Sequence, residues 1–168
     1  MDVQIETLPD LRVACRRVLG PYAETRLQAW KDLSPWMGRR CPIDSETLFL
    51  GICHDIAEFT PLHDRKYDAA VTVPEHVLSD GFITVRHIPA GEYAAFLYQG
   101  PHDVLDSAWA ALYWKWLPSS GRTPQEGPLL ELYMNDPQLV SDEKLLTKLY
   151  LPLAPLHDNI FPSSQETP

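Results

Sequence analysis

Arg12-Val13-Ala14-Cys15-Arg16-Arg17-Val18-Leu19-Gly20-Pro21 is the stretch on which the fold turns. Apolar and polar residues alternate loosely along it, as in a half-buried strand, and Gly20-Pro21 ends it with a sharp change of direction. Proline suits the first turn of a helix. Ala23, Leu27, Trp30, Leu33 and Met37 then recur at helical spacing, with Glu24, Gln28 and Lys31 between them. Ser34-Pro35 is expected to interrupt or restart this helix near its end. Two strands follow: Thr47-Leu48-Phe49-Leu50-Gly51-Ile52-Cys53, closed by His54-Asp55, and Tyr67-Asp68-Ala69-Ala70-Val71-Thr72-Val73, stopped by Pro74.

Further along, the same order returns. A β-like stretch over residues 82–98, broken near Pro89-Ala90-Gly91, runs into a second Gly-Pro pair, Gly100-Pro101. Leu105, Ala108, Trp109, Leu112 and Trp116 then line one helix face, and Pro118 is expected to stop that helix. Leu129-Leu130-Glu131-Leu132-Tyr133-Met134 closes with Asn135-Asp136, and a last strand over residues 145–151 ends at Pro152. The parallels pair Gly20-Pro21 with Gly100-Pro101, Trp30 with Trp109, and His54-Asp55 with Asn135-Asp136. The economical reading is an α+β fold of two similar strand-helix-strand-strand units, over residues 3–74 and 82–153. Together they form one domain, 1–153, built on an antiparallel sheet with both helices on one face and a ligand groove on the other. Residues 154–168, rich in Pro, Ser and polar side chains, read as a loose tail.

Composition narrows the function. A formal net charge of −9 disfavours direct nucleic-acid binding, which needs a basic surface. Three cysteines without a CxxC pair fit neither a disulfide framework nor a thiolate zinc site, and they place the chain in a reducing compartment. The acidic N-terminus lacks an apolar signal core, and no stretch approaches the ~20 apolar residues of a membrane helix. The expectation is a cytoplasmic protein without membrane attachment. The six histidines are scattered without HxxxH or HExxH spacing, and no phosphate loop or nucleophile elbow occurs. No metal and no cofactor is expected.

Glu131 stands out because both faces of its strand are otherwise apolar. Alternation puts Leu130, Leu132 and Met134 on one face, expected to meet the helices, and Leu129, Glu131 and Tyr133 on the other, expected to look into the groove. A carboxylate there costs several kcal/mol to desolvate unless it is paired or protonated. An acid among aromatic rings suits an organic cation, which gains from both. Glu131 is therefore expected to be buried with few salt-bridge partners and a raised pKa. Tyr150, on the strand expected to pair with that of Glu131, would bring its hydroxyl near the carboxylate.

The ordered set Leu19-Gly20-Pro21-Tyr22, residues 67–74, Ile88-Pro89-Ala90-Gly91-Glu92-Tyr93-Ala94, Gly100-Pro101, Trp109, residues 130–135 and Leu149-Tyr150-Leu151-Pro152 resembles the gyrase-inhibitor-like (GyrI-like) family. That family includes the effector-binding domains of AraC-type and MerR-type multidrug regulators. The resemblance implies a duplicated fold with a ligand groove between the halves, a central acid at Glu131, and pocket walls from Trp109 and Tyr150. Ile52-Cys53-His54-Asp55 departs from the tyrosines that relatives often carry there, so the first-half wall is expected to differ.

The leading reading is a binding module that binds or sequesters an aromatic, cationic or toxic small molecule through Glu131, Tyr133, Tyr150, Trp109 and Tyr98. The alternative is a hydrolase of strained electrophilic natural products, with Glu131 as general base and Tyr150 or Tyr133 as proton donor. A protein-interaction module that inhibits a DNA-processing enzyme ranks last, because the acidic residues are dispersed.

Overall fold

The computed structural model describes residues 1–56 and 59–156. Eight strands form one sheet: β1 (Val3–Leu8), β2 (Leu11–Leu19), β3 (Phe49–Cys53), β4 (Lys66–Thr72), β5 (Ile83–Ile88), β6 (Gly91–Gln99), β7 (Leu129–Tyr133) and β8 (Leu146–Leu153). Their order is β1-β6-β8-β7-β3-β4-β2-β5, and every neighbouring pair is antiparallel.

Helix α1 (Tyr22–Arg40) follows β2. The second helical segment runs from α2 (Leu105–Ala110) through a π-helical stretch (Ala111–Trp116) into α3 (Leu117–Ser120). Gly20 and Gly100, at φ 134° and 147°, sit where these helices begin, a backbone conformation that side chains disfavour. The α+β architecture read from the sequence is the one observed.

Each unit opens with two strands, broken at Pro9-Asp10 and at Pro89-Ala90, and these first strands are exchanged. β1 leaves its own half to pair with β6, and β5 crosses back to pair with β2. The halves meet at the β3–β7 pair. The separation that relates Gly20 to Gly100 also relates Glu6 to Arg86, Asp68 to Lys148, and Gly51 to Glu131. Accordingly the Lys148–Glu6 ion pair (2.6 Å) and the Arg86–Asp68 pair (3.6 Å) occupy matching places with the charges reversed.

Both sheet faces carry buried side chains. On the helix face, Ala29, Leu33, Trp36 and Met37 of α1 and Leu105, Ala108, Trp109 and Leu112 of the second segment pack on Ala69, Val71, Ala94, Leu129, Leu149 and Leu151. On the opposite face, Val13, Cys15, Leu50, Ile52, Ala70, Ala95, Leu130 and Tyr150 form a second buried cluster. The face expected to hold an open groove is thus occupied by a packed apolar layer.

Four local expectations are corrected. Helix α1 continues through Pro35 to Arg40, with the Ser34 hydroxyl donating to the Trp30 carbonyl at 2.7 Å. Its buried stripe is rotated from the one read off the sequence: Tyr22, Arg26, Ala29, Leu33 and Trp36 face inward while Leu27 is exposed. The second helical segment runs past Pro118 to Ser120, and Gly121 ends it at φ 70°. Strand β8 likewise runs through Pro152, which pairs with Tyr93 of β6 on one side and lies beyond the end of β7 on the other. Of the tail, residues 157–168 lie outside the described residues.

Candidate functional site

Strand β7 places Leu129, Glu131 and Tyr133 toward the helices and Leu130 toward the opposite cluster, the reverse of the sequence expectation. Both faces of this strand are apolar, so alternation separates the two sets without saying which set meets the helices. Glu131 lies at the junction of the halves and is fully buried.

Every route out of its carboxylate ends on a protein donor. Arg26 of α1 makes a two-pronged contact, Nη2 to Oε1 at 2.8 Å and Nε to Oε2 at 3.1 Å. Trp109 Nε1 donates to Oε1 at 3.2 Å, the Tyr133 hydroxyl to Oε2 at 2.7 Å, and Cys53 Sγ to Oε1 at 3.5 Å. A second layer continues from Tyr133: its hydroxyl meets that of Tyr67 at 2.7 Å, and Trp30 Nε1 donates to Tyr67 at 3.2 Å. The guanidinium of Arg26 lies 5.4 Å from the Tyr67 ring and donates to the His102 carbonyl at 3.1 Å.

This network overturns the expectation of a lone acid with a raised pKa. Burial alone would push the Glu131 carboxyl up, but the Arg26 charge with the Arg26, Tyr133 and Trp109 hydrogen bonds outweighs it and holds the group below its ordinary value. Burial likewise opposes the Arg26 charge, and the Glu131 carboxylate outweighs that, so Arg26 is firmly protonated. The site is a neutral, hydrogen-bonded ion pair in an aromatic enclosure.

Of the five residues read from the sequence, Glu131, Tyr133 and Trp109 come together. Tyr98 packs on the helix-face core but gives its hydroxyl to the Pro101 carbonyl at 3.4 Å. Tyr150 is on the opposite face, where its hydroxyl donates to Glu6 at 2.9 Å. The pairing of β8 with β7 is as expected, yet Tyr150 is the register partner of Leu130, so it shares that residue's face. Arg26 and Tyr67 were missed. A charged helix residue reads as solvent-facing, but Arg26 falls on the stripe of Tyr22, Ala29, Leu33 and Trp36. A single charge in an apolar helix stripe, set against a single acid in an apolar strand, was the available signal.

A cleft of about 360 Å³ opens beside this network, on the helix side of the sheet. Tyr113, Leu129, Leu151 and Pro152 give it apolar walls, and Asp55 and Glu126 line it. A second gap, of only about 20 Å³, shares Asp55, Tyr113 and Leu129 with the cleft and is lined also by Tyr22, Asp106, Trp109 and Cys53, the last two being direct neighbours of Glu131. The π-helical stretch widens the helix where it carries Tyr113 and Trp114, and such turns recur at functional sites. Phe59 and Trp114 meet edge to face at 5.6 Å and extend the aromatic surface outward. Among the described residues no three His, Cys, Asp or Glu side chains converge as metal ligands would.

An antiparallel sheet carrying two helices on one face is an arrangement found elsewhere. The profile of the GyrI-like small molecule binding domain matches residues 1–154. The chain belongs to the GyrI-like family. A relative described as a DNA gyrase inhibitor from Serratia proteamaculans (strain 568) is 33% identical over 141 residues, covering 81% of this chain and 88% of that protein. Among solved structures, the EcmrR C-terminal domain superposes with a TM-score of 0.78 at 16% identity, over 91% of this chain and 97% of that one. SAV2435 bound to tetraphenylphosphonium superposes with a TM-score of 0.60 at 16% identity, over 95% and 98%. At these identities the two structures establish a shared fold. The GyrI-like chain is a small-molecule-binding domain. Among the described residues no helix is long and apolar enough to cross a membrane.

Proposed function

We propose that this GyrI-like domain binds and sequesters aromatic, cationic small molecules in the cytoplasm, using the cleft that runs from Tyr113 and Leu129 toward Trp109 and Glu131. The observation that carries this reading is the lining of the cleft and of the adjoining gap, which brings Tyr22, Trp109 and Tyr113 together with Asp55, Asp106 and Glu126. Ring faces attract cations, and partial desolvation strengthens the attraction. The acidic side chains and the −9 net charge raise the local concentration of positive ligands and repel anions. The family supports a small-molecule ligand, and the structural neighbour bound to tetraphenylphosphonium supports an aromatic cation.

Binding is preferred to hydrolysis on physical grounds. A general base needs a free lone pair and a pKa near the working pH. Both oxygens of Glu131 already accept hydrogen bonds, and its pKa is displaced downward.

Tryptophan fluorescence or calorimetry with tetraphenylphosphonium tests the proposal. We expect saturable 1:1 binding, weakened at least tenfold in Trp109→Ala. Absence of binding to tetraphenylphosphonium and to a panel of lipophilic dye cations overturns it. The relatives described as DNA gyrase inhibitors favour a second reading, in which the chain restrains gyrase directly. A supercoiling assay with the purified protein tests it: activity unaffected by excess protein removes that reading.

A further inference from the structure

The guanidinium of Arg26 stands where a ligand's positive charge would gain most. It is buried, doubly bonded to Glu131, and enclosed by Tyr67, Tyr133 and Trp109. Such an enclosure, a carboxylate ringed by aromatic side chains, is what an organic cation requires. The protein fills it with a cation of its own. We infer that Arg26 is a tethered counter-ion that must leave Glu131 before a ligand's cation can take its place, and that it thereby sets which ligands the domain selects. The inference rests on the binding reading above and deepens it.

Three features make the displacement specific to cations. A neutral ligand in the passage gains nothing from Glu131, because breaking the ion pair would strand two buried charges. A ligand with a positive centre replaces one charge by another and leaves the carboxylate paired. The gap beside the pair is also acidic. Asp55 and Asp106 line the gap between Tyr22, one turn before Arg26, and Trp109, so acidic groups flank the route outward.

The movement falls on the start of α1. Arg26 Nη1 donates to the carbonyls of Tyr22 (3.4 Å) and His102 (3.1 Å), so it ties the first turn of α1 to the start of the second helical segment. Neither contact survives its departure. No side chain caps this helix end, which makes the first turns the part most easily loosened. Apparent affinity in the intact protein is therefore reduced by the fraction of molecules in which Arg26 has left the carboxylate.

The experiment compares tetraphenylphosphonium with neutral triphenylphosphine oxide on the full chain and on Arg26→Gln, Glu131→Gln and the double variant. The expected result is a gain of tenfold or more in tetraphenylphosphonium affinity for Arg26→Gln, with the neutral probe changing less than twofold. In the Glu131→Gln background the Arg26→Gln gain should vanish. Equal or weaker cation binding by Arg26→Gln overturns the inference while leaving the binding reading intact. Loss of both probes from the unaltered protein overturns both. Since Arg26→Gln leaves a buried carboxylate unpaired and can fail to fold, hydrogen exchange on the unaltered protein supplies a second reading. Saturation with tetraphenylphosphonium should speed exchange in residues 22–30, and protection there overturns the inference.

Discussion

Gly51 is the register partner of Glu131 across the β3–β7 pair, and the carboxylate network fills the space that a side chain on Gly51 would need. A Cβ built there would lie 2.6 Å from the Tyr133 hydroxyl, 2.7 Å from that of Tyr67 and 2.8 Å from Glu131 Oε2. Gly51→Ala must therefore push apart a buried, fully bonded cluster. Overpacking costs about 1–3 kcal/mol, and disturbed hydrogen bonds add to it. Urea unfolding should show a lower midpoint, and a midpoint equal to that of the parent protein would refute this account of the glycine.

The ionised state of Glu131 fixes the pH dependence of cation binding. Its folded pKa is lowered from an ordinary value near 4.5, so the carboxylate is charged throughout the mildly acidic and neutral range. Tetraphenylphosphonium affinity should be flat between about pH 5.5 and 7.5. A tenfold rise across that interval, measured by calorimetry, would mean that the acid is instead protonated in the free protein.

Asp68 predicts a loss of stability in acid. It is fully buried on the face opposite the helices, where Arg17 contacts both its oxygens at 2.7 and 2.9 Å and His54 contacts one at 2.8 Å. Burial raises its pKa, but the His54 and Arg17 hydrogen bonds and charges outweigh that and bring it from 3.8 to about 2. A carboxyl depressed on folding stabilises the native state above its unfolded pKa and loses that contribution as pH falls through the folded one. The contribution, roughly 2 kcal/mol, should be present above pH 4 and fade toward pH 2. Asp68→Asn should flatten that part of the stability–pH curve, and an unchanged slope between pH 4 and 2 would assign the acid sensitivity elsewhere.

Tyr150 separates stability from binding. Its hydroxyl donates to Glu6 on the face away from Glu131. Tyr150→Phe should cost about 1.5–3 kcal/mol, the range for a hydrogen bond to a charged group. Tetraphenylphosphonium affinity should stay within twofold of the parent. A tenfold loss of affinity would place Tyr150 in the binding site after all.

The helices and the strands from β2 onward were legible because local signals carry them: the two Gly-Pro pairs, loose alternation in residues 12–19, the apolar run at 129–134, and the helical spacing of Leu105, Trp109 and Leu112; β1 was not read. The burial of Glu131 was legible as well, since a lone acid in an apolar strand has few other reasons to be there. Its orientation was not. Period-two alternation sorts residues into two sets, but Leu129 and Leu130 are equally apolar, and both faces of this sheet are covered. Arg26 was passed over because propensity treats arginine as a surface residue, and only its phase with Tyr22, Ala29 and Leu33 marks it as inward. The exchange of β1 and β5 rests on long-range pairing, such as Ile5 with Ala94, for which no local signal exists.

The exchanged first strands say something about how such a site could arise. A single copy of this unit completes its sheet only by lending its opening strand to a second copy, so on its own it would be an intertwined homodimer. Two identical chains would then place the same residue twice at the β3–β7 seam, glutamate facing glutamate or glycine facing glycine. The first arrangement sets two buried carboxylates against each other, and the second has no acid at all. Joining the copies into one polypeptide frees the two positions to diverge, and here they have become Gly51 and Glu131. The same freedom gives Arg26 to one helix and Asp106 to the matching turn of the other. Lopsidedness of this kind, one charge with room made for it, is available to a fused chain and closed to a symmetric pair.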